Sequence, residues 1–195
     1  MTNTVTLSRR DQIRAAAEKL FRTRGYLATS MRHIASEMEL SGGGSLYAHI
    51  TGKEELLWQI ANEAIDAFHE AQQQVAALDL PPIEKLRAAM IAHVHVILAR
   101  LDASAVYFDE WRHLSEPRLS EFARRRDEYE ANFQKLIHAG VVSGDLDASD
   151  ERFATLYALG SLNALRRWYR PDGRLSADEV AKLTADTVCS GLLRR

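Results

Sequence analysis

The stretch TSMRHIASEMELSGGGSLYAHITGKEELL, residues 29–57, decides how this chain folds. Ile34, Ala35 and Met38 recur at helical spacing behind Thr29 and Ser30, two candidate N-caps whose hydroxyls can accept from the first free backbone amides. The run Ser41-Gly42-Gly43-Gly44 breaks that pattern, and Leu46, Tyr47 and Ile50 carry a further short helix. Two short helices around a glycine-containing turn make a helix-turn-helix. Thr51 and Glu54 stand in capping-box spacing, which predicts a long helix continuing through Leu57, Ile60, Ala61, Ala64, Ile65 and Phe68.

Upstream, Ile13, Ala16, Ala17, Leu20 and Phe21 form one stripe, opened by Ser8 and Asp11 and closed by Gly25. Downstream, Pro81-Pro82 starts a helix with Leu86, Met90, Val94, Ile97 and Leu101 on one face, and Tyr107, Trp111 and Leu114 fall together before Pro117. A stripe then runs through Phe122, Arg126, Tyr129, Phe133, Leu136 and Ile137 to Gly140. Residues 151–169, ERFATLYALGSLNALRRWY, are apolar on almost every side, so burial from two directions is expected, the second supplied by another copy of the chain. Ser176 and Glu179 cap a last helix with Val180, Leu183, Val188 and Leu192. The fold class is all-α. Residues 1–53 form a three-helix helix-turn-helix domain, and residues 54–195 a larger helical domain for ligand binding and dimerisation.

With 195 residues, 46% of them hydrophobic, the chain can bury a sizeable core. Its formal charge of -2 conceals an asymmetry: residues 1–53 hold eight Lys or Arg against four Asp or Glu, whereas the remainder holds seventeen against twenty-three. A polyanionic partner therefore belongs at the N-terminal end. Cys189 is the single cysteine, which excludes an internal disulfide and fits a reducing cytoplasm. The opening residues have no apolar core of signal-peptide length, and no stretch of about 18 residues lacks charge, so a cytoplasmic protein without membrane partners is expected.

Catalytic patterns are missing: there is no G-x-S-x-G, no H-E-x-x-H and no cysteine placed beside a clear base, so the chain is not expected to be an enzyme. The glycines at 42–44 lack the Gly-Lys-Ser/Thr and the preceding strand of a phosphate-binding loop. No cofactor or metal is expected. A metal sensor would have to use Asp109 and His113, which share a helix face, because His93 and His95 lie two apart and point away from each other. A helical interaction module that does not bind DNA would account for the stripes but not for the motif at residues 29–57.

That motif strongly resembles the DNA-binding region of TetR-family repressors through Thr29-Ser30, Ile34-Ala35, Gly44-Ser45-Leu46-Tyr47, His49 and Lys53-Glu54 before two leucines. The resemblance implies a homodimer that binds a palindromic double-stranded operator and is released by a small molecule. It further implies phosphate contacts from Tyr47, Lys53 and His49, supporting hydroxyls from Thr29 and Ser30, and base-edge contacts from Arg32 and Ser45. Gly43 and Gly44 would let backbone amides approach the duplex closely. The chain departs from the family by one extra residue between Ile34 and Tyr47, and has Gly42 or Gly43 where a larger polar residue is common.

Two further segments, YFDEWRHL (107–114) and GSLNALRRWYRPDGRLS (160–176), are similar to the branch that senses acyl-CoA thioesters and controls degradation of fatty acids, phenylacetate or steroids. On that resemblance Phe68, Trp111, Phe122 and Trp168 would line the acyl site, with His93, Tyr107 and Asn163 as further contacts. Arg126 stands at an apolar stripe position, where it must meet either a carboxylate such as Asp109 or Glu110 or an anionic group of the ligand. A free apolar or aromatic effector is the alternative.

Overall fold

The computed structural model describes residues 8–38 and 44–193, which are helical nearly throughout. In chain order the helices are α1 (Arg9–Arg24), α2 (Met31–Glu37), α3 (Gly44–Tyr47), α4 (Lys53–Ala76), α5 (Pro82–Ala99), α6 (Leu101–Asp109), α7 (Arg118–Val142), α8 (Glu151–Asn163), α9 (Leu165–Trp168) and α10 (Ala177–Leu192). A 3-10 turn, Trp111–His113, precedes α7. Extended pairing among the described residues is limited to a bridge between Leu146 and Leu193.

Local chemistry sets most of these boundaries. The Ser8 hydroxyl accepts from the Asp11 amide, and Gly25 ends α1 with φ at 82°, a left-handed value that favours glycine. Ser176 and Glu179 form the reciprocal capping box at the start of α10. Asp150 caps α8 by accepting from the Phe153 amide.

Several boundaries correct the sequence expectations. Glu54 does not complete a capping box with Thr51: α4 starts at Lys53, and the Glu54 carboxylate accepts instead from the Ser115 amide at 3.0 Å and its hydroxyl at 2.5 Å. Leu101 is not on α5, which ends at Ala99; it opens α6. Because α6 ends at Asp109, Tyr107 and Trp111 lie on different elements. Gly140 does not stop α7, which continues to Val142; the left-handed turn falls at Gly144, φ 83°. The expected helix over 151–169 is divided at Ala164 into α8 and α9.

The chain separates into two compact units. Unit 1 comprises Met1–Ala64 with Asp102–Phe122, and unit 2 comprises Ile65–Leu101 with Ala123–Arg195. In unit 1, Ile13, Ala17, Phe21, Ile34, Leu46, Leu57 and Ile60 are buried, which accounts for the stripes of the first four helices. In unit 2, α5 packs against α8, α9 and α10, and buries Leu86, Met90, Val94 and Ile97. Among the described residues no single helix is long and apolar enough to cross a membrane.

Gly140 serves packing: a Cβ built there would lie 2.6 Å from Cδ1 of the buried Leu146. Gly140→Val is therefore expected to destabilise unit 2 by about 1–3 kcal/mol through overpacking. Thermal unfolding checks this, and a melting temperature equal to that of the parent chain would contradict the close approach.

Candidate functional site

The outward face of unit 1 carries much of the expected DNA-binding set. Leu46 and Ile50 are buried, and this orients the α3 turn so that Tyr47 is 59% exposed. Arg32, Ser30 and His49 are exposed as well. Ser30 caps α2: its hydroxyl accepts from the His33 amide at 3.2 Å, while its own amide donates to His33 Nδ1 at 3.2 Å. The His49 carbonyl accepts from Arg10 Nε at 3.3 Å, leaving the imidazole on the surface. Gly43 lies outside the described residues, as does the side chain of Ser45.

Two members of the set turn inward. Thr29 is 2% exposed and its hydroxyl donates to the Gly25 carbonyl at 2.8 Å, so its side chain does not cap α2. Its polar group is consumed by the turn that follows α1. Lys53 sends its ammonium to the Tyr26 carbonyl at 2.8 Å and the Thr29 carbonyl at 2.9 Å, 4.1 Å from the centre of the Tyr26 ring. Burial lowers its pKa below the ordinary lysine value, against the opposing charge of Glu110.

The segment Asp102–Phe122 belongs to the same unit. Arg22 pairs with Asp102 at 2.5 Å, Arg118 with Glu55 at 2.6 Å, and Ser115 with Glu54; the last contact holds the Glu54 carboxyl below its usual range. Tyr107 and Phe122 are buried with ring centres 5.5 Å apart, and the half-buried Trp111 lies 5.6 Å from Phe122. These three expected ligand residues thus meet one another in unit 1.

A second cluster forms in unit 2. His93 on α5 is fully buried, with Nδ1 2.7 Å from the Tyr129 hydroxyl on α7 and Nε2 2.8 Å from Asn163 Oδ1 at the end of α8. An amide oxygen only accepts, so the neutral ring carries its proton on Nε2 and accepts from Tyr129 at Nδ1. Phe68 packs on the imidazole at 4.8 Å and Phe133 at 6.2 Å. Desolvation lowers the His93 pKa to about 4, partly offset by the bond to Asn163.

Sequence reasoning found His93, Asn163 and Phe68 but missed two partners. Gln72 is buried and donates to the Tyr129 carbonyl at 3.3 Å, and Tyr129 itself supplies the phenol. The signal for Gln72 was available, since it follows Phe68 by four and precedes Val75 by three on the apolar stripe of α4. Beside this cluster a cleft of about 280 Å³ between α4 and α7 is lined by His69, Gln72, Val75, Asn132 and Leu136 among others. Arg126 is half-buried on α7. Trp168, on α9, is 59% exposed.

A capped α2, a glycine-led α3 and an exposed polar face supported by buried leucine and isoleucine define a helix-turn-helix DNA-binding protein. Residues 13–60 match the family described as bacterial regulatory proteins, tetR family, and residues 79–192 match the tetracyclin repressor-like C-terminal domain. The repressor KstR2 of Rhodococcus jostii is 30% identical over 186 residues, covering 94% of this chain and 91% of the relative. The structure of KstR2 of Mycobacterium tuberculosis, a ketosteroid transcriptional regulator, superposes with a TM-score of 0.90 at 26% identity, covering 97% of each chain. AibR, solved in complex with isovaleryl coenzyme A and operator DNA, superposes with a TM-score of 0.80 at 26% identity over 95% of this chain and 98% of AibR. The chain belongs to the TetR family: it is a DNA-binding transcriptional repressor and not an enzyme.

The buried His93 has a consequence for acid stability. Its folded pKa of about 4 lies below the ordinary 6.5, so between these values the unfolded chain binds a proton that the folded chain does not. The contribution is complete above pH 6.5 and is lost as the pH falls towards 4, up to about 3 kcal/mol. Urea unfolding at pH 7 and pH 4.5 should show a larger loss in the parent chain than in His93→Phe. Equal losses would contradict burial of the neutral ring.

Proposed function

We propose that this repressor binds a palindromic operator as a homodimer and is released by an acyl-CoA thioester. Residues 1–53 read the DNA in this scheme, and residues 54–195 bind the effector and dimerise. The observation that carries the effector assignment is the whole-chain similarity to AibR, whose structure holds both isovaleryl coenzyme A and operator DNA. Within unit 2, Phe68, His93 and Asn163 converge, which supports assigning them together to the acyl part of the effector. Tyr107, Trp111 and Phe122 are retained as effector contacts on unit 1, and Arg126 as a candidate for the anionic groups.

On the DNA side, the exposed Tyr47, Ser30 and His49 are assigned to the phosphate backbone, and Arg32 with Ser45 to base edges. Gly43 and Gly44 allow the close backbone approach. Tyr47→Ala is expected to weaken operator binding across sequences, whereas Arg32→Ala should relax preference at one position by about 1–3 kcal/mol. Thermal stability should stay within about 0.5 kcal/mol for both, since both side chains are exposed. Titration of parent and variants against operator mutants checks the division, and uniform loss from Arg32→Ala would remove it from base readout. For the effector, acyl-CoAs should dissociate the complex where the matching free acids and free CoA do not; equal action by free acids would favour an apolar or aromatic effector.

The homodimer assignment is supported by an uncovered apolar strip. Phe153, Leu156, Tyr157 and Leu183 are 68%, 48%, 53% and 53% exposed, although they sit on long helices whose other faces are buried. Replacing Leu156 and Leu183 together by Glu should leave the helical content intact and yield a monomer at micromolar concentration by sedimentation. A parent chain that is itself monomeric there would exclude the dimer.

A further inference from the structure

We propose that residues 107–113 form a lever between the proposed effector contacts and the turn ahead of α2, and that His113 is the positioning residue that passes its movement to Tyr26. The inference rests on effector contact at Tyr107, Trp111 and Phe122. All the residues involved belong to unit 1. The segment faces two ways. Tyr107 and Trp111 meet Phe122 of α7, with ring centres 5.5 and 5.6 Å away. Glu110 and His113 meet the turn between α1 and α2 instead. The His113 imidazole stacks on the Tyr26 ring, 5.4 Å between centres and 15° between planes. Glu110 lies against Gly25, where an added Cβ would sit 3.6 Å from its Oε1.

Both ends are anchored firmly enough to carry a displacement. Tyr26 is buried and edge-on to Phe21 at 5.2 Å, so its ring cannot yield independently of the turn. The Tyr26 carbonyl accepts from the Thr29 amide at 3.1 Å, and Thr29 leads directly into Ser30, the cap of α2. Between the ends the backbone is bonded to itself. The Glu110 amide donates to the Val106 carbonyl and the His113 amide to the Glu110 carbonyl, both at 3.0 Å, and the Leu114 amide to the Trp111 carbonyl at 3.1 Å. Glu110 Oε2 also lies 3.5 Å from His113 Nε2. A push on Trp111 therefore moves Glu110 and His113 with it, and packed rings leave no void in which that movement is absorbed.

The test reads this coupling in the full-length protein without DNA or effector. Phe122→Leu loosens the effector end while leaving His113 and Tyr26 in place, and Trp111→Phe is a milder change at the same end. Hydrogen exchange is followed at the His33 and Ile34 amides, both bonded to Ser30, against the Val94 and Ile97 amides inside α5 of unit 2 as reference. Relative to that reference, either substitution should accelerate exchange at His33 and Ile34 several-fold, as should His113→Ala. Added to His113→Ala, neither should accelerate it further, because the lever is already disconnected. His113→Phe keeps a ring that can stack and should preserve the response. Additive acceleration in the double variants, or no response at His33 and Ile34 to either change at the effector end, would overturn the proposal. Isovaleryl-, phenylacetyl- and palmitoyl-CoA then test release from a duplex recovered by selection from a random-sequence pool. The loss of operator affinity that an active probe causes should shrink by about tenfold in His113→Ala; undiminished release would also overturn the lever. Inactivity of every probe would count against the acyl-CoA effector, while the exchange pattern still decides the lever.

Discussion

A polar group removed from water must find a partner, and in both units that requirement fixes what hydrophobic stripes leave undetermined. A stripe tells a helix which side to bury but tolerates rotation about its own axis, because apolar contact is non-directional. Hydrogen bonds are not tolerant in this way. His93 ties α5 to α7 through Tyr129 and to the end of α8 through Asn163, so three helices in unit 2 have their rotations set at one point. Lys53 and Thr29 do the same for the turn ahead of α2 in unit 1.

This inward use of polar groups determines what remains for DNA. The eight cations of residues 1–53 suggest a broad basic face, but several are already spent. Arg14 pairs with Asp11, Glu18 and Glu63, Lys19 with Glu37, Arg22 with Asp102, and Lys53 with carbonyls. The formal excess therefore overstates the charge that meets a duplex. The exposed Arg32, Tyr47 and His49, proposed above as operator contacts, are not among the residues engaged in those ion pairs.

The fold was legible because its information is local. Caps at Ser8, Ser30 and Ser176 and the stripes of α1, α5 and α10 follow from side chains a few residues apart. What escaped depends on distant partners. Glu54 reads as a capping residue because its competitor, Ser115, is 61 residues away. Gly140 reads as a helix stop because the leucine it admits, Leu146, lies beyond the helix end. Thr29 and Lys53 have the residue types of DNA contacts, yet the turn at Gly25–Thr29 claims both. Of the expected effector residues, Phe68, His93 and Asn163 converge because burial of a histidine demands an acceptor. Trp168 is at the surface, since a tryptophan in an apolar run does not reveal whether its neighbour is the same chain or another copy.

The energy needed to switch such a protein is small beside the energy that folds it. A tenfold change in operator affinity corresponds to about 1.4 kcal/mol of differential effector binding. One hydrogen bond to a charged group contributes about 1.5–3 kcal/mol where water does not replace it. Tyr107, Trp111 and Phe122 share a compact unit with the recognition helices, and the chain around them is held by a few bonds of that kind: Ser115 to Glu54 through its amide and hydroxyl, Arg118 to Glu55, Arg22 to Asp102. These are partly exposed, so solvent reduces the value of each towards the lower end or below it. An effector that touches this unit therefore needs no remodelled core. Under the proposed release by an effector, a difference in effector affinity worth about one such contact would be enough to shift the protein between two forms.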